Sequence, residues 1–158
     1  MRTVLLHQTP PIMPSLYQAE RRAELVERLS HLTADRPARW GRFTSPQMVT
    51  HLLEAGRMAA GELQVPERPL PMQFLLRPLF IYVLPFPKGA PTAPLLLARA
   101  PASWDGDVAA LRAAIDAVRE PPAGALLPEH PAFGKMNARD WGVLRYKHTD
   151  HHFRQFDI

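Results

Sequence analysis

The stretch NARDWGVLRYKHTDHHFRQFDI, residues 137–158, predicts a long helix with one apolar face. Asn137 is a typical N-cap residue, and Asp140 places a negative charge in the first turn, where the helix dipole favours it. At about 100° per residue, one side of the helix carries a common set of side chains. That set is Trp141, Leu144, His148, His152 and Gln155. Such a face must be buried against other elements, so this helix is expected to form part of the core.

Two histidines in this face have the spacing of metal ligands. His148 and His152 lie four residues apart, one helical turn, so their rings can converge on one transition-metal ion. Buried imidazole nitrogens without partners would cost about 1–3 kcal/mol each, and a shared metal removes that cost. His151 points about 100° away from His152, which indicates a pocket-lining residue rather than a ligand. A third ligand must come from another part of the chain.

Four further segments have helical periodicity, and no segment alternates as a strand does. They span residues 15–32, 46–63, 72–84 and 104–119. Ser15 is the expected N-cap of the first helix, and Thr44-Ser45-Pro46 opens the second with a capping hydroxyl followed by proline at the first helical position. Proline-rich loops separate these helices. The sequence therefore predicts an all-α fold, as a single domain over residues 1–158 with residues 1–14 as an N-terminal extension.

The segment 72–84 is apolar nearly all round and is interrupted by Arg77-Pro78. We expect a kinked helix that is buried on most sides, either centrally or at a subunit interface. A homodimer or scaffold protein is therefore one of the functional hypotheses.

Composition restricts the class of protein. The 158 residues include 46% hydrophobic and 22% charged residues, which is typical of a folded soluble chain. The absence of cysteine excludes disulfides, thiolate metal sites and a cysteine nucleophile. The net charge of +4 comes mostly from dispersed arginines without a basic stripe, so we expect no nucleic-acid partner. Because no secretory signal or membrane span is visible, we expect a cytoplasmic protein without a membrane partner.

The second predicted helix carries His51 within the run TSPQMVTHLL, residues 44–53, and about 100 residues later the terminal helix carries His-x-x-His-His. This combination resembles the DinB-like superfamily of metal-binding helical bundles. The segments ARWG at residues 38–41, FPKGAPT at 86–92 and HPAFG at 130–134 resemble a poorly characterised branch of that superfamily. The resemblance implies a four-helix bundle with an extra short hydrophobic helix. It also implies one divalent metal on His51, His148 and His152.

Three imidazoles without a carboxylate suit Zn²⁺ or Ni²⁺ better than Mg²⁺ or Ca²⁺. Three protein ligands leave a coordination position open, which is typical of a reactive site. We expect a metal-dependent enzyme, either a hydrolase or a transferase that uses a low-molecular-weight thiol, with an unknown small molecule as partner. Pocket residues besides His151 are expected to be Gln155, Glu54 and Gln47. The alternatives are a non-catalytic metal-binding or stress-response protein, and histidines that are only structural.

Overall fold

The computed structural model describes residues 13–158. The expected N-terminal extension lies almost entirely outside these residues. Within this range there are five α-helices: α1 Ala19–Leu29, α2 Ser45–Ala59, α3 Gln73–Pro78, α4 Trp104–Asp116 and α5 Ala138–Gln155. A π-helical turn, Leu79–Val83, continues α3, and a 3-10 helix spans Pro94–Leu97. The described part of the chain contains no strand, only an isolated bridge between His130 and Gly134, which confirms the all-α prediction.

Side-chain caps define where the two site-bearing helices begin. The Thr44 hydroxyl accepts a hydrogen bond from the Gln47 amide, and the Gln47 side chain accepts one from the Thr44 amide. Asn137 and Asp140 make the same reciprocal pair at the start of α5. Each pair satisfies two backbone donors that the first turn leaves unpaired. Asn137 is therefore confirmed as the cap of α5, whereas α2 begins one residue earlier than predicted, with Thr44 as its cap and Pro46 as its second residue.

The first helix begins later than expected, at Ala19. The Ser15 hydroxyl accepts from the Tyr17 amide, and the Gln18 side chain accepts from the Ser15 amide, so a turn precedes the helix. The helices α2 and α4 also end a few residues before their predicted ends. Helical periodicity continues into these flanking turns and does not distinguish them from the helix itself.

Four helices enclose the main core. The helix α4 packs on α1 and α2, and α5 packs on the same two helices. Apolar side chains from all four helices meet between them, and the fully buried members include Leu25, Leu29, Met48, Val49 and Phe153. A second cluster lies near the start of α5 around Trp141, Leu144 and Ile81. This packing places α2 directly against α5, the two helices that carry the candidate ligands.

The segment 72–84 is largely exposed within this chain, so the prediction of a central position is wrong, and burial at a subunit interface stays a prediction. Among the residues of α3 and the π-helical turn, only Ile81 is buried. The Lys147 ammonium of α5 donates to the backbone carbonyl oxygens of Phe80, Ile81 and Leu84. The side chains of Gln73 and Arg77 also hold the segment, because they donate to carbonyl oxygens of the 132–135 loop. An all-apolar pattern is compatible with exposure when polar main-chain contacts anchor the segment. Among the described helices, none has the length and apolar character needed to cross a membrane.

Candidate metal centre

Three imidazoles from α2 and α5 meet at one point in the core. The Nε2 atom of His148 lies 3.2 Å from Nε2 of His51 and 3.1 Å from Nε2 of His152. Two nitrogen ligands of a tetrahedral zinc ion, each about 2.0–2.1 Å from the metal, lie about 3.3 Å apart. The observed spacing therefore matches that of ligands to one ion. His51 and His152 are buried and His148 is partly exposed, and together they could hold a metal ion.

The hydrogen bonds of two Nδ1 atoms determine which ring nitrogens remain available to bind a metal. Nδ1 of His51 lies 3.3 Å from the Leu96 carbonyl oxygen, and Nδ1 of His152 lies 2.9 Å from Gln155 Oε1. The Gln155 amide is oriented by its own Nε2, which donates to the Trp40 carbonyl at 2.7 Å. Because both partners of the histidines are acceptors, both Nδ1 atoms carry the proton. Nε2 of His51 and of His152 therefore presents a lone pair to the centre.

These three nitrogens cannot satisfy one another by hydrogen bonding alone. With two Nε2 lone pairs already present, only His148 Nε2 could contribute a proton, and one proton cannot make a full hydrogen bond to both neighbours. At least one buried lone pair then lacks a good partner, at a cost of about 1–3 kcal/mol. A cation at the centre would accept all three lone pairs at once.

Burial keeps the three rings neutral. It lowers the pKa of His148 well below its usual value, and the neighbouring histidines lower it further. Burial, with a contribution from His51, lowers the pKa of His152 to about 3, and burial also lowers the pKa of His51. A neutral imidazole is the form that binds a metal, so all three ligand candidates are in the binding form at neutral pH.

Aromatic rings surround the cluster. The ring centroid of Phe43 lies 5.2 Å from that of His51 and 5.6 Å from that of His152. Phe86 lies 5.6 Å from both His148 and His151. These rings limit the access of water from two sides. Sequence analysis did not assign them to the site, because they lie in loops whose path no periodicity predicts.

Two of the four expected pocket residues join the cluster. Gln155 Oε1 accepts a hydrogen bond from His152 Nδ1. The partly exposed His151 lies beside His152, and the centroids of their rings are 5.2 Å apart. Gln47 is instead exposed at the helix cap. Glu54 is buried in an ion pair with Arg57 at 3.0 Å. No hydrogen bond within residues 13–158 joins either side chain to a histidine of the cluster.

The remaining histidines lie elsewhere. Nδ1 of His130 accepts from the amides of Ala132 and Phe133, a structural role, and burial lowers its pKa to about 4. His31 is exposed beside Glu27 on α1. His7 lies outside the described residues.

A small cavity lies beside the cluster, between α2, α4 and α5. It has a volume of about 40 Å³, and its lining includes His148, Arg145 and Gly56. The volume is enough for a water molecule but not for a larger reactant.

Gln155→Met is expected to weaken metal binding about 10–100-fold, because His152 loses the acceptor that fixes its Nδ1 proton. Methionine has a similar length, and helix content by circular dichroism should be unchanged. The affinity can be measured by competition with a chromophoric chelator. Gln64→Met changes an exposed glutamine and should bind as the wild type does. An unchanged affinity in Gln155→Met would contradict a role for this amide.

Comparison of the chain with protein-family models, curated proteins and solved structures gives no match. The chemistry of the histidine cluster is therefore the basis for the function proposed below.

Proposed function

We propose that this chain is a DinB-like protein that binds one divalent transition metal through Nε2 of His51, His148 and His152. The proposal depends on one observation: three neutral imidazoles direct Nε2 atoms at a common point, and two of them carry their proton on the opposite nitrogen. The order of the ligands, one on α2 and two on α5, agrees with the pattern that the resemblance implies. The four packed helices are consistent with a bundle of that type.

We propose Zn²⁺ or Ni²⁺ as the metal. The donor set is three nitrogens, and within residues 13–158 no carboxylate joins the group. Imidazole donors suit zinc and nickel, whereas magnesium and calcium prefer oxygen. The site also lacks the carboxylate of the two-histidine-one-carboxylate iron centres.

We propose further that the site is catalytic. Three protein ligands leave room in the coordination shell, whereas structural zinc usually has four. A metal there would supply Lewis acidity to a water molecule or to the thiolate of a low-molecular-weight thiol. The partly exposed His151, between Phe86 and Trp40, is placed to contact a small-molecule substrate at the edge of the cluster. The reaction is then a hydrolysis or a thiol transfer.

A non-catalytic metal-binding role is the second candidate, and burial favours it. His51 and His152 are only 3% and 8% exposed, and Phe43 covers both rings. A metal enclosed in this way would stabilise the packing of α2 on α5 without turning over a substrate. Exchange of the bound metal's remaining ligand with added azide or a thiol distinguishes the two roles, because only an accessible metal exchanges it.

The first experiment is elemental analysis of protein purified without a polyhistidine tag or added metal. We expect about one zinc or nickel per chain, and a loss of that metal in His51→Ala. Protein reconstituted with cobalt should then show a change in its visible spectrum on addition of a small thiol. Absence of metal, even after reconstitution with Zn²⁺, Ni²⁺, Mn²⁺ or Fe²⁺, would refute the site. Stoichiometric metal without exchange would refute only the catalytic role.

A further inference from the structure

The segment 72–84 exposes an unusual concentration of large apolar side chains. Met72 is 62% exposed, Phe74 72%, Leu75 56% and Val83 70%. Met72, Leu75, Leu79 and Val83 recur at three- and four-residue intervals, so they lie along one side of α3 and its π-helical turn. We call these four residues, with Phe74, the apolar face. Contiguous exposed patches of this kind mark surfaces that bind a partner.

The sequence that carries this face is basic. Residues 68–104 contain four basic residues and no aspartate or glutamate. That excess equals the net charge of the whole chain, +4, so the remaining residues are neutral as a group. Of these four, Arg99 is ion-paired with Asp107 at 3.1 Å, and Arg77 is the one that lies within α3, next to the apolar face.

A pocket with two guanidinium groups lies directly beside the apolar face. It has a volume of about 330 Å³ and is lined by Arg77, Pro78, Tyr82, Asn137, Arg139 and Asp140. The Arg139 guanidinium lies 5.4 Å from the centroid of the Tyr82 ring. Asp140 is the one acidic residue of the lining, and the Tyr82 hydroxyl already donates to it. The pocket is therefore net positive.

We propose that the apolar face and the arginine pocket form a docking surface for a membrane that contains anionic phospholipids. The apolar side chains would enter the boundary between headgroups and acyl chains, and Arg77 and Arg139 would contact the lipid phosphates. Tyr82, with an apolar ring and a polar hydroxyl, suits the interface. The segment is too short to span a bilayer, which needs about 20 residues. The sequence predicts no membrane partner because it contains no spanning segment. The proposed surface would instead bind at the membrane interface without crossing the bilayer.

The charge pattern favours an anionic membrane over a second copy of the chain. In a symmetric dimer through this face the same patch occurs on both subunits, so two copies of the arginine pocket would be brought into one interface. Like charges in such a contact are unfavourable. An anionic bilayer is complementary to both parts of the surface, the apolar face and the arginine pocket. The proposal is independent of the metal site.

The test is cosedimentation of the full chain with large unilamellar vesicles, either phosphatidylcholine alone or with about one third phosphatidylglycerol. We expect binding to the anionic vesicles only, and weaker binding at high salt. Phe74→Ser/Leu75→Ser should reduce partitioning at least about tenfold, because two apolar side chains no longer enter the interface. Arg77→Gln/Arg139→Gln should reduce it about fivefold for each arginine.

The control variants change matched residues elsewhere on the surface. Leu126→Ser alters a fully exposed leucine, and Arg112→Gln/Arg119→Gln alters two exposed arginines of another region. Both should bind vesicles as the wild type does, and circular dichroism verifies that every variant is folded. No binding to anionic vesicles, or equal binding to both vesicle types, would overturn the proposal. If ultracentrifugation shows a dimer and Phe74→Ser/Leu75→Ser abolishes it, the occupant of this surface is a second copy of the chain and not a membrane. If inorganic phosphate binds at the two arginines and vesicles do not bind, the ligand of the pocket is a free anion and not a membrane.

Discussion

His148→Ala is expected to lower the affinity for zinc or nickel by at least about a thousandfold. It removes the imidazole whose Nε2 lies 3.2 Å and 3.1 Å from the other two, so only two nitrogen donors would remain for the ion. Loss of a residue that merely supports a ligand costs about 10–100-fold, and loss of a ligand itself costs more. Titration against a chromophoric chelator of known zinc affinity measures the change.

The fold should tolerate this change. The His148 side chain is partly exposed, and no residue within 13–158 other than His51 and His152 hydrogen-bonds to its ring. Helix content is therefore expected to match that of the wild type. His31→Ala removes an exposed histidine just after α1 and should leave affinity and stoichiometry unchanged. If both His148→Ala and His152→Ala retain stoichiometric metal, these residues are not ligands.

The part of this site that depends on local sequence could be predicted. Caps and periodicity place His148 and His152 on one face of a helix, because a helix has a fixed rotation per residue. The position of Gln155 near His152 follows from the same geometry, since it lies three residues further along α5. The all-α class likewise follows from periodicity, and the structure confirms it.

The part that depends on contacts between distant segments could not be predicted. The Leu96 carbonyl that orients His51 is a backbone group of the 3-10 helix, 45 residues away, and nothing in its residue type indicates this role. The role of Gly41 could not be predicted from the sequence either. Its φ of +80° and its approach to Gln155, where a Cβ atom would lie 2.5 Å from Nε2, appear only in the fold. Exposure of the segment 72–84 was missed because an apolar pattern does not reveal whether a surface is covered.

Phe153→Ala is expected to reduce the free energy of unfolding by about 3–5 kcal/mol. The Phe153 side chain is fully buried in the four-helix core, directly after His152, and the Arg28 guanidinium lies 5.5 Å from its ring centroid. Truncation removes its apolar contacts and leaves a cavity in tightly packed surroundings. Urea denaturation in the presence of a strong chelator measures the metal-free protein. Phe74→Ala is the matched control, because that ring is 72% exposed and should change stability by less than about 0.5 kcal/mol.

The same variant tests whether the histidine cluster stabilises the fold by binding metal. If the native state alone binds the ion, zinc at about 100 times its dissociation constant adds about 2.7 kcal/mol to the free energy of unfolding. Phe153→Ala retains all three ligands, so zinc should restore most of the stability that the truncation removes. His148→Ala should gain almost nothing from the same addition. A large gain in His148→Ala would show that the stabilising ion binds elsewhere, and no gain in Phe153→Ala would show that the packing of α5, as well as its histidines, is needed to form the site.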